Sequence, residues 1–570
     1  MSRRWLWIPL LGVLALLLFW QRGGPSVADG SWLVVELSGD YVEAQASPLT
    51  AKLVGRTERP LAGVLSELSK AERDERIAGV ALRIGSLGGG WGKARELRSA
   101  IERLRENGKR TLAYLELEKY GANREFYVAS AADRVVAAPG SRNPFAGLAG
   151  EYFFLAGFFE KLGVDVVYER IGKYKTAAEQ FGESAMSEPN REMSESLMDS
   201  IADRFVADIA ESRELSVERV VEIIDLAPTS PAAWLELGLI DGVGWLDEAL
   251  EEEGDPATLD SGDYAAVSAE SVGWDPVASF ALIYGTGAVV VGEGGRSIGG
   301  GPVFASGAIS DAFDAAVEDP GIRAIVFRID SPGGSPLASD LVWRAVQRAR
   351  KAGKPVVASM SDVAASGGYY AAAGADRIVA EPGTLTGSIG VFVLRPILEG
   401  MLEKLGIGYA ALTRGEHADL LLSARPLSPG SRARMREEVE SVYRLFLDRV
   451  SEGRNMTPDE VDQVAQGRVW TGAQALEVGL VDVLGGLRDA AREAKILVGL
   501  DPDDDVYLVP YPTPKPLLQQ LSEAMDVSMR AQVHAALPPL PDALRRAAGL
   551  LRVLPAGTPV LVPPVLPELR

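Results

Sequence analysis

The sequence predicts an α/β protein made of two tandem copies of one domain behind an apolar N-terminal segment. Three observations carry that prediction. Apolar or β-branched runs that end in glycine-rich turns alternate with helical patterns. Four blocks of sequence recur in the same order at a nearly constant offset. An uninterrupted apolar run stands at the extreme N-terminus. At about 150 residues per domain, a chain of 570 residues has the length for such an arrangement. Its 47% hydrophobic content is enough to bury a sizeable core.

The N-terminal segment, residues 1–30, comes first. Ser2-Arg3-Arg4 precedes an apolar run from Trp5 to Trp20. As a helix that run would rise about 24 Å, slightly short of a hydrocarbon core of about 30 Å. Two readings fit. One is a cleaved signal peptide, with Ser26-Val27-Ala28 as a small-x-small site. The other is a retained single-span anchor. The run is longer than a usual signal-peptide core and ends in bulky Phe19 and Trp20, which favours the anchor. The leading positive charge favours an N-terminus held in the cytoplasm, and everything downstream would then face the exported side.

The repeat spans most of the remainder. Ala81-Leu82-Arg83-Ile84-Gly85-Ser86 followed by Gly88-Gly89 returns as Val326-Phe327-Arg328-Ile329-Asp330-Ser331 followed by Gly333-Gly334, offset 245. Tyr127 to Ser141 returns as Tyr370 to Thr384, offset 243, with nine of fifteen positions identical. Glu160 to Val164 returns as Glu403 to Ile407, and Glu236 to Asp241 as Glu477 to Asp482. Chance does not preserve order and spacing over four blocks. One copy therefore covers about 31–270 and the other about 271–500. Within the second, Leu337 to Ala352 reads as a helix stopped by Gly353-Lys354-Pro355. Pro355 to Met360 reads as a strand, and an Ala-rich helix starts near Gly367. Ser187 to Gly254 reads as amphipathic helices. The tail, 501–570, opens with an acidic turn and becomes apolar and Pro-studded without a clear period.

Composition narrows the chemistry. A formal net charge of −21 argues against a nucleic-acid partner. The absence of cysteine excludes a thiol nucleophile and thiolate metal sites. The only histidines are His417 and His534, so a metal centre built on several histidines is not expected. No cofactor is called for. A serine activated by lysine is then the economical hydrolase.

Ser366 is the best nucleophile, in Ala364-Ala365-Ser366-Gly367-Gly368-Tyr369-Tyr370 between a strand and an apolar helix. Free N–H groups at a helix start stabilise a developing anion, although a plain N-cap serine reads the same way. Asp330-Ser331-Pro332-Gly333-Gly334-Ser335 follows a strand. It is either a tight turn or, through a glycine N–H, part of an oxyanion hole. The repeat discriminates. Asn123 stands opposite Ser366, and Ala418 stands opposite Lys175. One copy carries a nucleophile and the other a base, which is what a duplicated enzyme with one composite site would keep. Lys173, two residues away, would share a face with Lys175 on an extended strand, and His417 is a weaker rival.

These residues resemble the signal peptide peptidase A family in its long, duplicated bacterial form. That family is a group of membrane-anchored Ser/Lys proteases within the superfamily of crotonase-like folds that includes the Clp protease. The resemblance rests on Ser331-Pro332-Gly333-Gly334-Ser335, on Ala365-Ser366-Gly367-Gly368-Tyr369, on Leu385-Thr386-Gly387-Ser388-Ile389-Gly390-Val391 and on Tyr174-Lys175-Thr176-Ala177. It implies two tandem crotonase/Clp-like domains. It also implies Ser366 as nucleophile, Lys175 as general base and Ser388 as the serine that orients the lysine. Gly367 with Gly333 or Gly334 would bind the oxyanion. It further implies apolar peptide substrates such as remnant signal peptides, a homo-oligomer (a tetramer in that family), and the bacterial inner membrane with both domains on the periplasmic side. The first copy departs from the motifs, with Leu87 for Pro332 and Phe145 for Ser388.

Overall fold

A computed structural model describes residues 27–43, 59–118, 123–142, 145–294 and 302–512. The apolar run at 5–20, His534 and the tail from 513 onward lie outside them. Among the described residues no helix is long and apolar enough to cross a membrane.

The duplication is visible in the strand order. In the first copy Thr258–Asp260, Ser31–Gly39, Ile77–Leu87, Arg110–Leu115, Arg134–Ala137 and Gly242–Val243 lie side by side. In the second, Val506–Tyr511, Ala278–Thr286, Ile322–Ser331, Val356–Ala365, Arg377–Ala380 and Val483–Leu484 take the same order. All these ladders are parallel. Helices cover such sheets, so a strand like Ile322–Ser331 is buried nearly end to end and reads as a continuous apolar run rather than an alternation. The second domain therefore runs past 500, where the sequence places its end. Val506–Tyr511 is its edge strand, the counterpart of Thr258–Asp260. An acidic turn and Pro510 hide that strand in the sequence, and proline is tolerated at a sheet edge.

The predicted helix after the glycine turn forms as Pro336–Lys351. Ser335 caps it by accepting from Ala338 N, proline takes the first turn, and Arg348, Arg350 and Lys351 sit in the last. The next strand is longer than predicted, Val356–Ala365, because its second half finds a partner of its own. Val363–Ala365 pairs with Leu385–Gly387, which pairs in turn, antiparallel, with Val469–Thr471. The acidic segment forms helices Glu188–Ser212, Val217–Leu226, Pro231–Glu236 and Leu246–Glu252.

Among the contacts that join the copies, two position the elements described next. Strand Asp165–Ile171 of the first pairs antiparallel with Val391–Ile397 of the second, and Ala177, Ala178 and Phe181 pack on Phe392 and Leu394. Helix Trp91–Glu106 of the first also lies on the second sheet, where Glu96 accepts from Arg328.

Candidate active site

Ser366 comes directly after the strand end, and its N–H donates to Gly387 O at 2.8 Å. It occupies the N-cap position of helix Gly367–Ala372, yet its side chain makes no capping bond. The plain N-cap reading therefore fails. Its backbone sits at φ 55°, ψ −114°, a conformation an L-residue holds only when its surroundings impose it. That turn aims Oγ away from the helix and toward the first copy.

Lys175 arrives there from the end of strand Asp165–Ile171. Its Nζ lies within hydrogen-bond distance of Ser366 Oγ at 2.7 Å, of Ser388 O at 2.8 Å and of Ser388 Oγ at 3.0 Å. Lys175, Ser366 and Ser388 are each 0% exposed. Burial pushes the Lys175 amine well below the ordinary lysine value, and burial is the cause of the whole shift. The interface between the copies supplies this desolvation without a substrate.

The glycines have distinct roles. A Cβ on Gly367 would sit 2.7 Å from Ser339 Oγ and 3.0 Å from Gly334 N, so the nucleophile turn and the glycine turn touch only because this residue has no side chain. Gly333 N–H donates to Ser331 Oγ at 3.1 Å. Gly334 has φ +156°, and a Cβ there would meet Val289 O at 2.2 Å. Of the two candidates, Gly334 is the one whose N–H borders the Ser366 turn without a bond to Ser331.

The rival bases fall away. The strand ends at Ile171, so Lys173 and Lys175 do not share a face. Lys173 is exposed, its ammonium 4.4 Å from the Tyr174 ring centre. His417 Nδ1 lies 3.2 Å from Ser431 Oγ.

Sequence reading missed the clamp that seats the lysine. Tyr174 N donates to Gln466 O, Ser388 N to Arg468 O and Gly467 N to Ile389 O, at 2.8, 2.7 and 2.8 Å. A Cβ on Gly467, at φ +76°, would lie 2.4 Å from Lys175 N. In the sequence Gly467 reads as an ordinary turn glycine. Its role depends on a chain segment almost three hundred residues earlier.

The model of peptidase family S49 matches this chain twice, at residues 103–260 and 348–501, once in each copy. The chain belongs to peptidase family S49. Serine protease SPPA, chloroplastic, of Arabidopsis thaliana is 34% identical over 90% of this chain and 75% of its own length. Protease 4 of Salmonella typhi is 29% identical over 91% of this chain and 86% of its own. Protease 4 of Haemophilus influenzae is 29% identical over 83% and 76%. Among solved structures, a 1510-N membrane-bound stomatin-specific protease covers 44% of this chain at 17% identity, with a TM-score of 0.27 that bears no weight. The chain is thus a serine protease of the long SppA type, with one S49 domain in each copy.

Proposed function

We propose that the protein is a membrane-anchored endopeptidase that cleaves apolar peptides, remnant signal peptides among them, through an acyl-enzyme on Ser366. The observation that carries this reading is the 2.7 Å contact from Lys175 Nζ to Ser366 Oγ in a fully buried setting. A neutral amine at that distance accepts the hydroxyl proton as Oγ attacks the peptide carbonyl. The N–H groups of Gly367 and Gly334 bind the oxyanion, such a donor being worth about 10²–10³ in rate. The lysine then returns its proton to the leaving amine, and water releases the acyl group by the same path in reverse. Ser388 holds Nζ on line from both its hydroxyl and its carbonyl. The apolar run at 5–20 would hold the enzyme in the inner membrane with both domains on the exported side.

The repeat also supports an assembly. Of the arm segments related by the 243 offset, Asp165–Ile171 and Val391–Ile397 pair with each other. Their counterparts, 408–414 and 148–154, form no strand, and they present Leu412 at 94% and Phe153 at 59% exposure. Pairing 148–154 of one chain with 408–414 of the next would repeat the internal contact head to tail and close a ring, a tetramer in the family resembled. Leu412→Asp should lower the sedimenting mass, and an unchanged mass would remove this contact from the assembly.

Labelling by a fluorophosphonate serine probe tests the chemistry. Wild type should label at Ser366, whereas Ser366→Ala and Lys175→Ala should not. Full labelling of Ser366→Ala would end the reading.

A further inference from the structure

We infer that Lys93, from the copy that lost its nucleophile, is a positioning residue for the site in the other copy. It pins a β-bulge that aims Ser366 at the glycine turn. The inference rests on the Ser366/Lys175 dyad proposed for the reaction.

The pairing of strands Ile322–Ser331 and Val356–Ala365 is regular up to Ile329 opposite Met360, and resumes at Ser331 opposite Ala364. Ser361, Asp362 and Val363 therefore face a single residue, Asp330, across the break. A bulge re-aims the chain beyond it. On one strand Ala364 and Ala365 lead from the bulge straight to Ser366, and on the other Asp330 leads into the turn with Gly333 and Gly334. The angle of this bulge sets the distance between nucleophile and oxyanion donor.

Within the second copy Val363 N donates to Asp330 Oδ1 at 3.2 Å, Thr384 Oγ1 to Ser361 O at 2.6 Å and Gly287 N to Asp330 O at 2.9 Å. The charged tie across the break comes from the first copy. Lys93 Nζ donates to Asp330 Oδ2 at 2.5 Å and to Asp362 Oδ2 at 2.6 Å, bridging the two strands. The backbone N–H groups of Gly90 and Lys93 donate to the two oxygens of Asp362 at 2.7 and 2.9 Å. Glu43 lies 3.4 Å from the same ammonium and ties it to buried Arg328. The fit is close, since a Cβ on Gly92 would sit 2.7 Å from Ser361 O and one on Gly90 2.8 Å from Asp362 Cγ. Burial opposes the charge on Lys93, but Asp330, Asp362 and Glu43 more than restore it, so it stays a cation and cannot serve as a base. Lys93 stands opposite Ala338 in the repeat, so the second copy has no such tie of its own. The first copy thus contributes two lysines of opposite kind: Lys175, whose pKa burial pushes down with no carboxylate to oppose it, and Lys93, kept charged by carboxylates.

Loss of this tie should weaken transition-state stabilisation more than substrate binding. The experiment measures kcat, KM, fluorophosphonate labelling rate and melting temperature on full-length protein with one soluble apolar peptide. The variants are Lys93→Met, Asp362→Asn, Ser366→Ala and Arg213→Ala, the last removing a remote ion pair with Asp241. Lys93→Met should lose at least about tenfold in kcat and in labelling rate, with KM within about twofold of wild type. If Lys93→Met does not fold, Asp362→Asn, which keeps the lysine but weakens its hold, decides by the same split. Wild-type kcat in the folded variant overturns the inference. So does a loss confined to KM, or one no larger than Arg213→Ala shows for the same drop in melting temperature. Activity surviving in Ser366→Ala would instead strike the underlying dyad, which keeps the two failures apart.

Discussion

The two copies share a strand order but not a fate, and the difference lies where strands end. In the second, strand Val356–Ala365 runs on, finds Leu385–Gly387 beside it, and delivers Ser366 in a strained turn against Lys175. In the first, the equivalent strand stops at Leu115. Asn123 takes the serine's place with its Nδ2 bonded to Gly147 O at 2.8 Å. Phe145, in place of Ser388, packs on Phe126 and Phe205 with ring centres 5.1 and 5.7 Å apart. The lost site has been filled with aromatic core. The converse holds around the base. The short helical turn Thr176–Ala178 after Lys175 is buried, while its counterpart Ala418–Leu421 is not, with Leu421 88% exposed. On the proposed mechanism a duplicated enzyme needs one base and one nucleophile per site, and each copy would have kept the half that the other dropped.

The largest effects should come from exchanging those halves. Ser366→Ala should lose about 10⁴-fold or more in turnover with only a small change in melting, because its side chain caps nothing and its contact with Lys175 is worth about 1 kcal/mol. Asn123→Ser should not restore activity to that background, since Phe145 fills the space beside it. Recovery of cleavage in the double variant would show that the copies are less specialised than described.

Lys175→Arg should be inactive, because a guanidinium keeps its proton at working pH. Wild-type activity should rise with pH about a midpoint below that of a free lysine, which a pH–rate profile measures. Stability sharpens the point. The folded-state pKa is depressed, so between that value and the ordinary one of about 10.4 the unfolded chain binds more protons and stability rises with pH. Below that window the full cost of burying the ammonium is present. Lys175→Met should therefore melt higher than wild type at neutral pH, by about 2–4 °C per kcal/mol recovered, and the gain should vanish above about pH 10.4. A lower melting point in calorimetry at pH 7 would mean the amine is held by charge after all.

Arg328 and Arg83 are the same residue in the two copies. Arg328 is buried between Glu43 and Glu96 of the first copy, whereas Arg83 meets Glu116 at the surface with 48% of its side chain exposed. Arg328→Ala should cost about 3–5 kcal/mol, since it leaves buried carboxylates unpaired. Arg83→Ala should cost about 1 kcal/mol or less. Equal costs in denaturant titrations would mean the contact between the copies is much weaker than its burial indicates.

Gly467→Ala combines a strained backbone with a clash at Lys175 N, and should lower kcat by at least about tenfold with a stability loss of about 1–3 kcal/mol. Lys173→Ala and His417→Ala should stay within about twofold, as expected of residues outside the site. Either one reducing kcat tenfold in a peptide assay would reopen the identity of the base.

The repeat was legible because duplicated cores keep their apolar runs, glycines and spacing. The complementary loss of Ser366 and Lys175 could be read from alignment of the chain with itself. The same alignment could not yield the strand at Val506–Tyr511, whose counterpart is only three residues long, nor the clamp at Gln466 to Arg468.

By itself, then, the sequence determined the fold class, the duplication and the candidate serine, because these come from local pattern and from comparison within the chain, while the choice of Lys175 over Lys173 rested on the family resemblance. Only the tertiary structure decided that Lys175 faces inward while Lys173 faces out, and that Gly334 rather than Gly333 has its N–H free of Ser331. It alone placed Lys93 at the break in the strands that aim Ser366. The physical reason is common to all three. A side chain's direction, a donor's occupancy and an amine's charge are set by groups distant in sequence, and no local pattern encodes which distant groups will meet.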